Sequence, residues 1–415
     1  MSTFPRIVML CLLVGGPAAA GDAAVPDGSW RAWGGPRADF LTPDADLADS
    51  WPEKGPRRLW SRPLGEGYSG VLFDEGVLFT MFRDGEAEVV AALGAARGET
   101  IWEHRYRSEP REGHVHRFGD GPRATPLLTG DRIYTIGVAS RMHCLDKATG
   151  AVLWTHDLWT ELGGNVLNHG YSSSPVEYED TVIVLVGGKG ASVVALDKKT
   201  GAVRWKGLDF ENSYSTPRIV EIEGVPQIVA FMATHIIGVD PSNGRLLWSW
   251  PHENQFRQNV AMPVLTAGNR LFLSSPEAGS RTLELAREAD GFRVEEVWSS
   301  KKLQFYHGTC VGRDGWLYGS TGMMSPAYLT AVNLSTGEVG WRARGFAKAN
   351  VIGAGDYLLI LDEDGKLALA KATPEGLSVL SRFELFSSTS WTAPTLVGRT
   401  LYARDNSRIV ALGLP

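Results

Sequence analysis

Aromatic, basic and amide side chains recur just before a series of short predicted strands. Aromatic rings offer flat apolar faces, while arginine, lysine and histidine side chains supply positive charge or hydrogen-bond donors. A concave surface that combines such groups suits the binding of an anionic small molecule. The candidate binding residues are Tyr68, Arg123, His169, Tyr171, Tyr214, Asn259, Tyr306, His307, Lys348, Asn350 and Trp391.

A histidine pair in a longer segment offers a different chemistry. His114-Val115-His116 lies within 104–122 and supplies two imidazoles, but a metal site needs a third and a fourth ligand. The mixed charges and the Gly and Pro content favour a solvated loop, so no metal-ligating residue is predicted. A second long segment, 159–170, is a candidate cap over the binding residues. Because the sequence has no nucleophile elbow, phosphate loop or dinucleotide fingerprint, no catalytic residue is predicted.

The elements that must position these residues are revealed by a repeat. The stretch ALDKKTGAVRW (195–205) reads as strand, turn and strand, with Gly201 supplying a left-handed turn conformation. Related stretches occur at 92–102, 144–154, 238–248, 284–298 and 331–341. The tryptophans of this pattern are Trp60, Trp102, Trp154, Trp205, Trp248, Trp298 and Trp341. A period of about 40–50 residues indicates a solenoid, a propeller or an array.

A second hairpin lies between successive tryptophans and occurs eight times. It has apolar or alternating strands around a turn that contains Asp or Gly. The eight copies are 70–82, 125–137, 174–188, 216–232, 262–275, 309–320, 350–362 and 392–405. Two hairpins per unit predict an all-β, eight-bladed β-propeller of four-stranded antiparallel blades. Each tryptophan is expected to stack on the turn of the neighbouring blade.

The two ends of the repeat predict how the ring closes. The last unit stops after a third strand, RIVALGLP, whereas RRLWSRPL (57–64) precedes the first hairpin. We therefore expect the strand at about 57–64 to complete the eighth blade, which removes an exposed sheet edge. Blade seven has Leu380 where a tryptophan is expected, so its contact with the next blade is predicted to be weaker.

The first 20 residues predict export. Arg6 precedes an apolar run at 7–14 and small residues at 18–20, which together resemble a cleaved signal peptide. We expect a signal peptide at 1–20 and one propeller domain at 21–415, in the periplasm or secreted, with no transmembrane segment in the mature chain. The net charge of −6 argues against a nucleic-acid partner. Cys144 and Cys310 are expected to be buried free thiols on opposite sides of the ring.

The repeated A-x-D-x-x-T-G-x-x-x-W pattern resembles the docking motif of the quinoprotein alcohol dehydrogenase-like propellers, whose repeats are called pyrroloquinoline-quinone (PQQ) repeats. The stretches WRAWGGPRADF (30–40) and 51–60 resemble the start of exported bacterial members. The resemblance covers essentially the whole mature chain. It implies either a PQQ-dependent dehydrogenase or a scaffold such as the outer-membrane-protein assembly propeller. The dehydrogenases carry adjacent disulfide-bonded cysteines and often Cys-x-x-Cys-His, and this sequence has neither.

Two functions follow as hypotheses. The leading one is a non-catalytic scaffold that binds an envelope protein or a small anionic ligand through its loop face and central funnel. The alternative is a quinoprotein-type dehydrogenase that oxidises an alcohol or a sugar, with PQQ and calcium as its cofactors. No cofactor is assigned under the leading hypothesis, and the ring is expected to be monomeric. A third interpretation of the funnel is that its Ser and Thr residues only satisfy backbone groups at the rim.

Overall fold

The strands form a ring of eight antiparallel blades. A computed structural model describes residues 28–42, 46–322 and 326–415, and the strands in these ranges make eight sheets. Each sheet contains four antiparallel strands, and one sheet carries a fifth strand in parallel. The predicted all-β, eight-bladed propeller is therefore confirmed. The signal peptide predicted at 1–20 lies outside the described residues. Blade 1 contains Leu72–Asp74, Val77–Asp84, Ala87–Gly94 and Thr100–Arg107.

The remaining blades repeat the same order of strands from the axis outward. Blades 2 and 3 contain Leu127–Thr129, Arg132–Ile136, Arg141–Asp146 and Val152–Asp157, then Val176–Tyr178, Thr181–Leu185, Val193–Asp197 and Val203–Gly207. Blades 4 and 5 contain Arg218–Ile222, Val225–Phe231, His235–Val239 and Leu246–Pro251, then Val264–Thr266, Arg270–Ser275, Gly279–Glu288 and Gly291–Ser300. Blades 6 and 7 contain Phe305–Arg313, Trp316–Thr321, Tyr328–Asn333 and Val339–Ala343, then Asn350–Ala354, Tyr357–Leu361, Lys366–Thr373 and Gly376–Glu384.

The eighth blade is completed from the start of the chain. Its first three strands are Thr395–Val397, Thr400–Arg404 and Arg408–Gly413, and its outer strand is Arg57–Pro63. The outer strand pairs antiparallel with Arg408–Gly413, from Arg57 opposite Gly413 to Pro63 opposite Arg408. The predicted closure of the ring by an N-terminal strand is therefore confirmed.

The middle strands of each blade are buried on both faces. In blade 3, all four residues Val182, Ile183, Val184 and Leu185 are fully buried. Successive side chains of a strand point to opposite faces, so both faces of this strand must pack on neighbouring blades. This packing explains why these strands are continuous apolar runs rather than alternating ones.

The tryptophans dock across the junctions between blades. The indole nitrogen of Trp102 in blade 1 donates a hydrogen bond to Lys147 O in blade 2, at 3.0 Å. Gly150, at φ +73°, leaves no room for a Cβ, which would lie 2.5 Å from the Trp102 ring. The same arrangement occurs for Trp60, Trp154, Trp205, Trp298 and Trp341, whose indole nitrogens donate to carbonyls of the next blade.

Trp248 departs from the predicted docking. Its indole nitrogen donates to Gln227 Oε1 of its own blade at 2.6 Å, and its ring lies over Gly238. The cause lies in blade 5, whose third and fourth strands run for ten residues each and end in a tight hairpin. That blade therefore has no Asp-x-x-Thr-Gly turn to receive the ring.

The junction at Leu380 has a partner that the repeat does not reveal. Trp51, which is buried, lies against the outer strand of blade 7, and its backbone nitrogen donates to Ser381 Oγ at 2.8 Å. A Cβ at Gly55 would lie 2.4 Å from the Phe383 ring, so the segment before the closing strand packs closely on this blade. The weak junction predicted there is covered by residues from outside the repeat.

An N-terminal segment crosses the end of the ring away from the candidate binding residues. Trp30 forms two backbone hydrogen bonds with Phe73 of blade 1. At the other end of the segment, Leu41–Thr42 pairs in parallel with the inner strand of blade 7, opposite Gly353 and Ala354. This segment, residues 28–42, is called the floor segment below. Its last two residues, Leu41–Thr42, form a fifth strand on the sheet of blade 7, which the sequence analysis did not predict.

The two described cysteines are unpaired, in agreement with the prediction. Cys144 is fully buried, whereas Cys310 is only partly buried and lines the central cavity. The prediction of two buried thiols is therefore correct for Cys144 and wrong for Cys310. The helical content of the described ranges is one 3₁₀ turn, His116–Phe118, and no helix there is long and apolar enough to cross a membrane.

Candidate functional site

A cavity of about 1120 Å³ lies on the axis of the ring. Pockets that hold drug-sized ligands are typically about 300–1,000 Å³, so the cavity has room for a small molecule. Its walls are the loops that approach the inner strands, the inner strands themselves and the floor segment. The floor segment contributes Trp33, Ala38, Asp39, Phe40 and Leu41.

Most of the predicted binding residues meet in this cavity. They precede or begin the inner strands of seven of the eight blades, and the ring brings these positions to one mouth. The predicted residues that line the cavity are Tyr68, Arg123, His169, Tyr214, Tyr306, His307, Lys348 and Trp391.

The other three predicted residues lie between blades rather than on the cavity wall. Tyr171 is fully buried, and its hydroxyl donates to Leu185 O at 2.7 Å. Asn259 is also fully buried and donates to Met232 O at 2.6 Å. Asn350 accepts a hydrogen bond from the backbone of Thr309. Their polar atoms are used by neighbouring backbone groups, which corrects the expectation that these side chains face the funnel.

Hydroxyl groups connect one blade to the next around the rim. Gly70 N donates to Thr125 Oγ1 at 2.9 Å, Thr125 N to Ser174 Oγ at 3.0 Å, and Ser174 N to Thr216 Oγ1 at 3.0 Å. Buried backbone groups need such partners. The interpretation that Ser and Thr satisfy the rim therefore holds for these residues, and it coexists with a lined cavity.

An aromatic cluster forms one side of the mouth. The His307 and Trp391 rings are stacked, with centroids 5.4 Å apart and planes at 9°. The Tyr68 ring lies 5.2 Å from Trp391 on a tilted plane. Phe118 lies 5.9 Å from Trp391 and 5.5 Å from His169, so it links blades on both sides of the mouth. Flat aromatic faces of this kind pack well against a planar ligand.

Arg123 is held rigidly at the edge of this cluster. Its guanidinium donates to Gly119 O at 2.8 Å and to Gly121 O at 3.0 Å, and it lies 5.9 Å from the centre of the Tyr68 ring. Burial lowers the pKa of Arg123, but an arginine stays protonated at neutral pH. A preorganised guanidinium of this kind is well suited to a carboxylate.

Lys348 supplies a second cation beside the aromatic cluster. Its ammonium group lies 3.1 Å from Glu363 Oε2 and 5.9 Å from the centre of the Trp391 ring. The Trp391 indole nitrogen donates to the same carboxylate oxygen at 3.0 Å. Glu363 therefore fixes both the lysine and the ring. The lysine adopts a left-handed backbone conformation, at φ +39°, which is a strained position for a residue with a side chain.

Arg218 is a cavity residue that the sequence analysis missed. It is 9% exposed and donates to Pro263 O at 3.2 Å and to Arg37 O of the floor segment at 3.3 Å. Its Nε has no hydrogen-bond partner in the described residues. The aligned hairpins carry a signal for it, because the residue after the repeated proline is uncharged in the other blades that have this proline, namely Leu127, Val176, Val264 and Thr395. A charged residue at this position of the repeat therefore marks Arg218 as an exception.

The cavity carries an excess of positive charge on an acidic protein. Its lining includes five permanent cations and two carboxylates, which are Arg117, Arg123, Arg218, Arg313, Lys348, Asp39 and Asp314. Burial and the Lys348 charge lower the pKa of His307, and burial raises the pKa of Tyr214 and of Tyr306 to about 12. These rings are therefore neutral at neutral pH, and the charge excess comes from the arginines and the lysine.

The two long loops take different positions from those expected. The loop 104–122 is not simply solvated, since Arg117 and Phe118 line the cavity. The candidate cap 159–170 packs Trp159 and Leu162 into the core, and it contributes Asn168 and His169 to the lining. Both loops therefore contribute side chains to the cavity lining.

A family model described as outer membrane protein assembly factor BamB matches residues 85–343, well over half of the chain. The chain belongs to this family. Its eight PQQ-like blades and the tryptophan docking between them are consistent with that membership. The predicted resemblance to PQQ-like propellers is confirmed.

Relatives of this BamB-family chain carry two different names. A quinoprotein alcohol dehydrogenase, PedH, from Pseudomonas putida is 34% identical over 143 residues, which is 32% of this chain and 23% of the relative. An outer membrane protein assembly factor BamB from Xanthomonas campestris is 27% identical over 139 residues, which is 34% of this chain and 30% of the relative. The chain thus spans less than a third of the length of either relative.

A solved structure extends the fold comparison to nearly the whole chain. The quinohemoprotein alcohol dehydrogenase ADHIIG from Pseudomonas putida HK5 superposes with a TM-score of 0.69 at 12% identity, covering 94% of this chain and 80% of that one. At this identity the likeness concerns the fold alone. The family and the fold therefore leave a catalytic and a non-catalytic role open for this member.

Proposed function

We propose that this propeller is a non-catalytic binding scaffold that takes a planar, anionic small molecule into its central cavity. The observation that carries the proposal is the pairing of a stacked aromatic wall with fixed cations. Trp391 and His307 supply the flat surface, and Arg123 and Lys348 lie at its edge. A ligand with a flat ring and carboxylate groups would satisfy both at once.

The depth of the cavity supports a ligand with acidic groups at more than one position. Arg123 and Lys348 lie at the mouth, whereas Arg218 lies on the inner strand of blade 4 against the floor segment. The Nε of Arg218 is buried and unpartnered, which leaves a donor for a ligand oxygen. A cavity lined at both levels by cations favours an elongated anion.

PQQ fits this lining in shape and charge, but its usual calcium partner does not. PQQ is a flat quinone with carboxylate groups, and the aromatic wall and arginines match both features. Calcium takes six to eight oxygen ligands. The carboxylates on the cavity wall are Asp39 and Asp314, and Asp39 already accepts from Arg37 and from Leu41 N. Among the described residues, no cluster of three acidic ligands faces the cavity.

The test is a calorimetric titration of PQQ into the purified chain, with and without calcium. We expect saturable heat near one PQQ per chain in both conditions. Changing Arg123 or Lys348 to Ala should weaken binding about tenfold or more, because a charge-assisted contact is worth about 1.5–3 kcal/mol. A titration without heat in either condition would count against PQQ as an occupant and would turn the search to other planar anions.

A matched control separates the cavity from general charge effects. Lys371 lies 2.7 Å from Asp49 and 4.7 Å from the centre of the Tyr357 ring, so it repeats the contacts of Lys348 on the outer surface. Lys371→Ala should leave PQQ binding unchanged. An equal loss of affinity in Lys348→Ala and Lys371→Ala would show that binding follows net charge rather than the cavity.

A quinoprotein dehydrogenase is the second candidate, and the 34% identity to PedH favours it. It predicts that the protein reduces an artificial electron acceptor with an alcohol or a sugar once PQQ and calcium are supplied. Turnover that depends on both additions would replace the scaffold proposal. PQQ binding without turnover would support the scaffold.

The place of action is also proposed. The N-terminal pattern supports export, and a mature chain in the periplasm or outside the cell would meet envelope proteins as partners. Phe256 and Val166 are 45% and 53% exposed, and Phe256 lies at the cavity mouth, where a protein partner would contact it. Fractionation of cells followed by N-terminal sequencing tests the location, with a start near Gly21 expected. A mature chain that begins at Met1 in the cytosol would contradict it.

A further inference from the structure

The loop between blades 1 and 2 carries a side-chain cluster that the binding proposal does not use. The loop is anchored on both sides of the mouth, because Val115 N donates to Asn168 O at 2.7 Å and Tyr68 donates through its hydroxyl to Phe118 O at 3.0 Å. His116 lies between these anchors, and His114 and Asp120 lie just outside them. The loop is thus fixed in place before any ligand is considered.

Two imidazoles and one carboxylate converge in this loop. His114 Nε2 lies 3.2 Å from Asp120 Oδ1, and His116 Nδ1 lies 2.7 Å from the same oxygen. One ligand atom from each of the three residues lies within 4.8 Å of the other two. Asp120 is itself positioned by its backbone nitrogen, which donates to Glu66 Oε1 at 2.9 Å. Ligand atoms at this separation surround a point that a metal ion can occupy.

His114 supplies the observation that points to a ligand. Its side chain is 2% exposed, and its Nε2 has no hydrogen-bond partner although it lies close to the Asp120 carboxylate. A buried polar atom without a partner destabilises the folded state. A bound cation would satisfy this nitrogen.

We infer that His114, His116 and Asp120 form a transition-metal site, with Zn²⁺ as the best-matched ion. Zinc takes imidazole nitrogen and carboxylate oxygen in tetrahedral geometry, and imidazole ligands are shared by zinc, copper and nickel sites. Three protein ligands leave the fourth position to water or to a ligand group. The site lies in the loop that carries Phe118, so a bound metal would add to the contacts that already hold this loop at the mouth. The inference is independent of the function proposed for the cavity.

The alternative is an ordinary histidine–carboxylate pair with no metal. The chain contains such a pair elsewhere, since His156 Nδ1 lies 2.6 Å from Glu161 Oε1. His156 Nε2 is already engaged with Gly201 O at 2.8 Å, so that pair has no free imidazole nitrogen. His156→Ala is therefore the matched control for a histidine that touches a carboxylate without forming a metal site.

The test is a titration of Zn²⁺ alone into the full chain, produced without a histidine tag. We expect one Zn²⁺ per chain. His116→Ala and Asp120→Asn should each weaken Zn²⁺ binding about tenfold or more. Changing a residue that only supports a metal ligand already costs about 10–100-fold in metal affinity, and a direct ligand should cost at least as much. His156→Ala should bind as the wild type. The His116 side chain is 67% exposed, so its removal should not prevent folding.

Cobalt provides a second readout that reports geometry. Co²⁺ bound by two imidazoles, a carboxylate and water in a tetrahedral site should give strong visible absorption that Zn²⁺ bleaches. Wild-type protein that leaves Co²⁺ with the weak spectrum of the hydrated ion would overturn the inference. So would equal Zn²⁺ affinity in the wild type, His116→Ala and Asp120→Asn.

Discussion

The junctions between blades and the central cavity are built from different kinds of sequence. At the junctions one device recurs, an indole that donates to a carbonyl of the next blade, as Trp102 does to Lys147 and Trp298 to Leu334. In the cavity each blade contributes a different side chain, such as Arg123, Arg218 and Lys348. Repeated residues thus specify the ring, and the positions that break the repeat supply the chemistry of the site.

The largest effect should come from removing the strand that completes blade 8. A chain truncated to start at residue 65 loses the strand Arg57–Pro63 and the Trp60 contact with Ala95 O. It should lose on the order of 5 kcal/mol of unfolding free energy, because several strand hydrogen bonds worth about 1 kcal/mol each disappear with the docked indole. Denaturant unfolding measures this loss.

A second truncation isolates the closing strand. A chain that starts at residue 57 lacks the floor segment but keeps the strand Arg57–Pro63. Both truncated chains lack the floor segment, so any difference in their stability comes from the closing strand. If both unfold at the same denaturant concentration, the closing strand does not stabilise the ring, and the comparison between junction and cavity fails.

A smaller difference in unfolding free energy should distinguish Trp102, which docks on the next blade, from Trp248, which does not. Trp102→Phe removes a hydrogen bond to a backbone carbonyl at a partly exposed junction, which should cost about 1 kcal/mol. Trp248→Phe leaves the fully buried Gln227 Oε1 without its donor, which should cost about 3 kcal/mol. Unfolding free energies of the two variants check the difference.

Gln227→Leu in the Trp248→Phe background tests the cause. Since it removes the orphaned amide, the double variant should recover part of the loss. No recovery would mean that the ring contact with Gly238, rather than the hydrogen bond, holds Trp248 in place.

The next effect is a loss of folding stability at acidic pH. His143 is 4% exposed at the junction of blades 1 and 2, where its ring lies 4.3 Å from the Tyr106 ring, and burial lowers its pKa to about 3. Below about pH 6.5 the unfolded chain binds a proton that the folded chain does not, so stability is lost as the pH falls from about 6.5 toward 3. His143→Gln should remove about 2 kcal/mol of the loss between pH 6.5 and pH 5.

Unfolding at several pH values measures this slope. If His143→Gln shows the same slope as the wild type, the junction histidine is not the group that titrates.

The sequence predicts the ring well because the same structural unit recurs in every blade. Eight hairpins and seven tryptophans each support the same four-stranded unit. The fourth strand that is missing after the last hairpin is matched by an extra strand before the first one. The exceptions arise where a neighbour changes. Trp248 loses its docking turn because blade 5 has a long hairpin, and no property of Trp248 itself reveals this.

The cavity was only partly predictable, for a physical reason. A residue that precedes a strand can point to the axis or into the neighbouring blade, and one residue of register decides between the two. The side chain three residues before the repeated proline faces the cavity, whereas the one four residues before it is buried between blades. Tyr214 faces the cavity, whereas Tyr171 in the previous blade bonds to Leu185 O. The floor segment occurs once, so no repeat identifies it. Asp120, the third residue of the cluster with His114 and His116, comes close to the two imidazoles through the fold of the loop, and its distance along the sequence does not reveal this.

The way the ring closes has a consequence for how the protein is made. The closing strand and the floor segment are synthesised first, but their partners Arg408–Gly413 and Asn350–Ala354 are synthesised last. Contacts between such distant parts of a chain form slowly, and unpaired strand edges are prone to aggregation in the meantime. A ring of this kind cannot be completed until its last residues emerge.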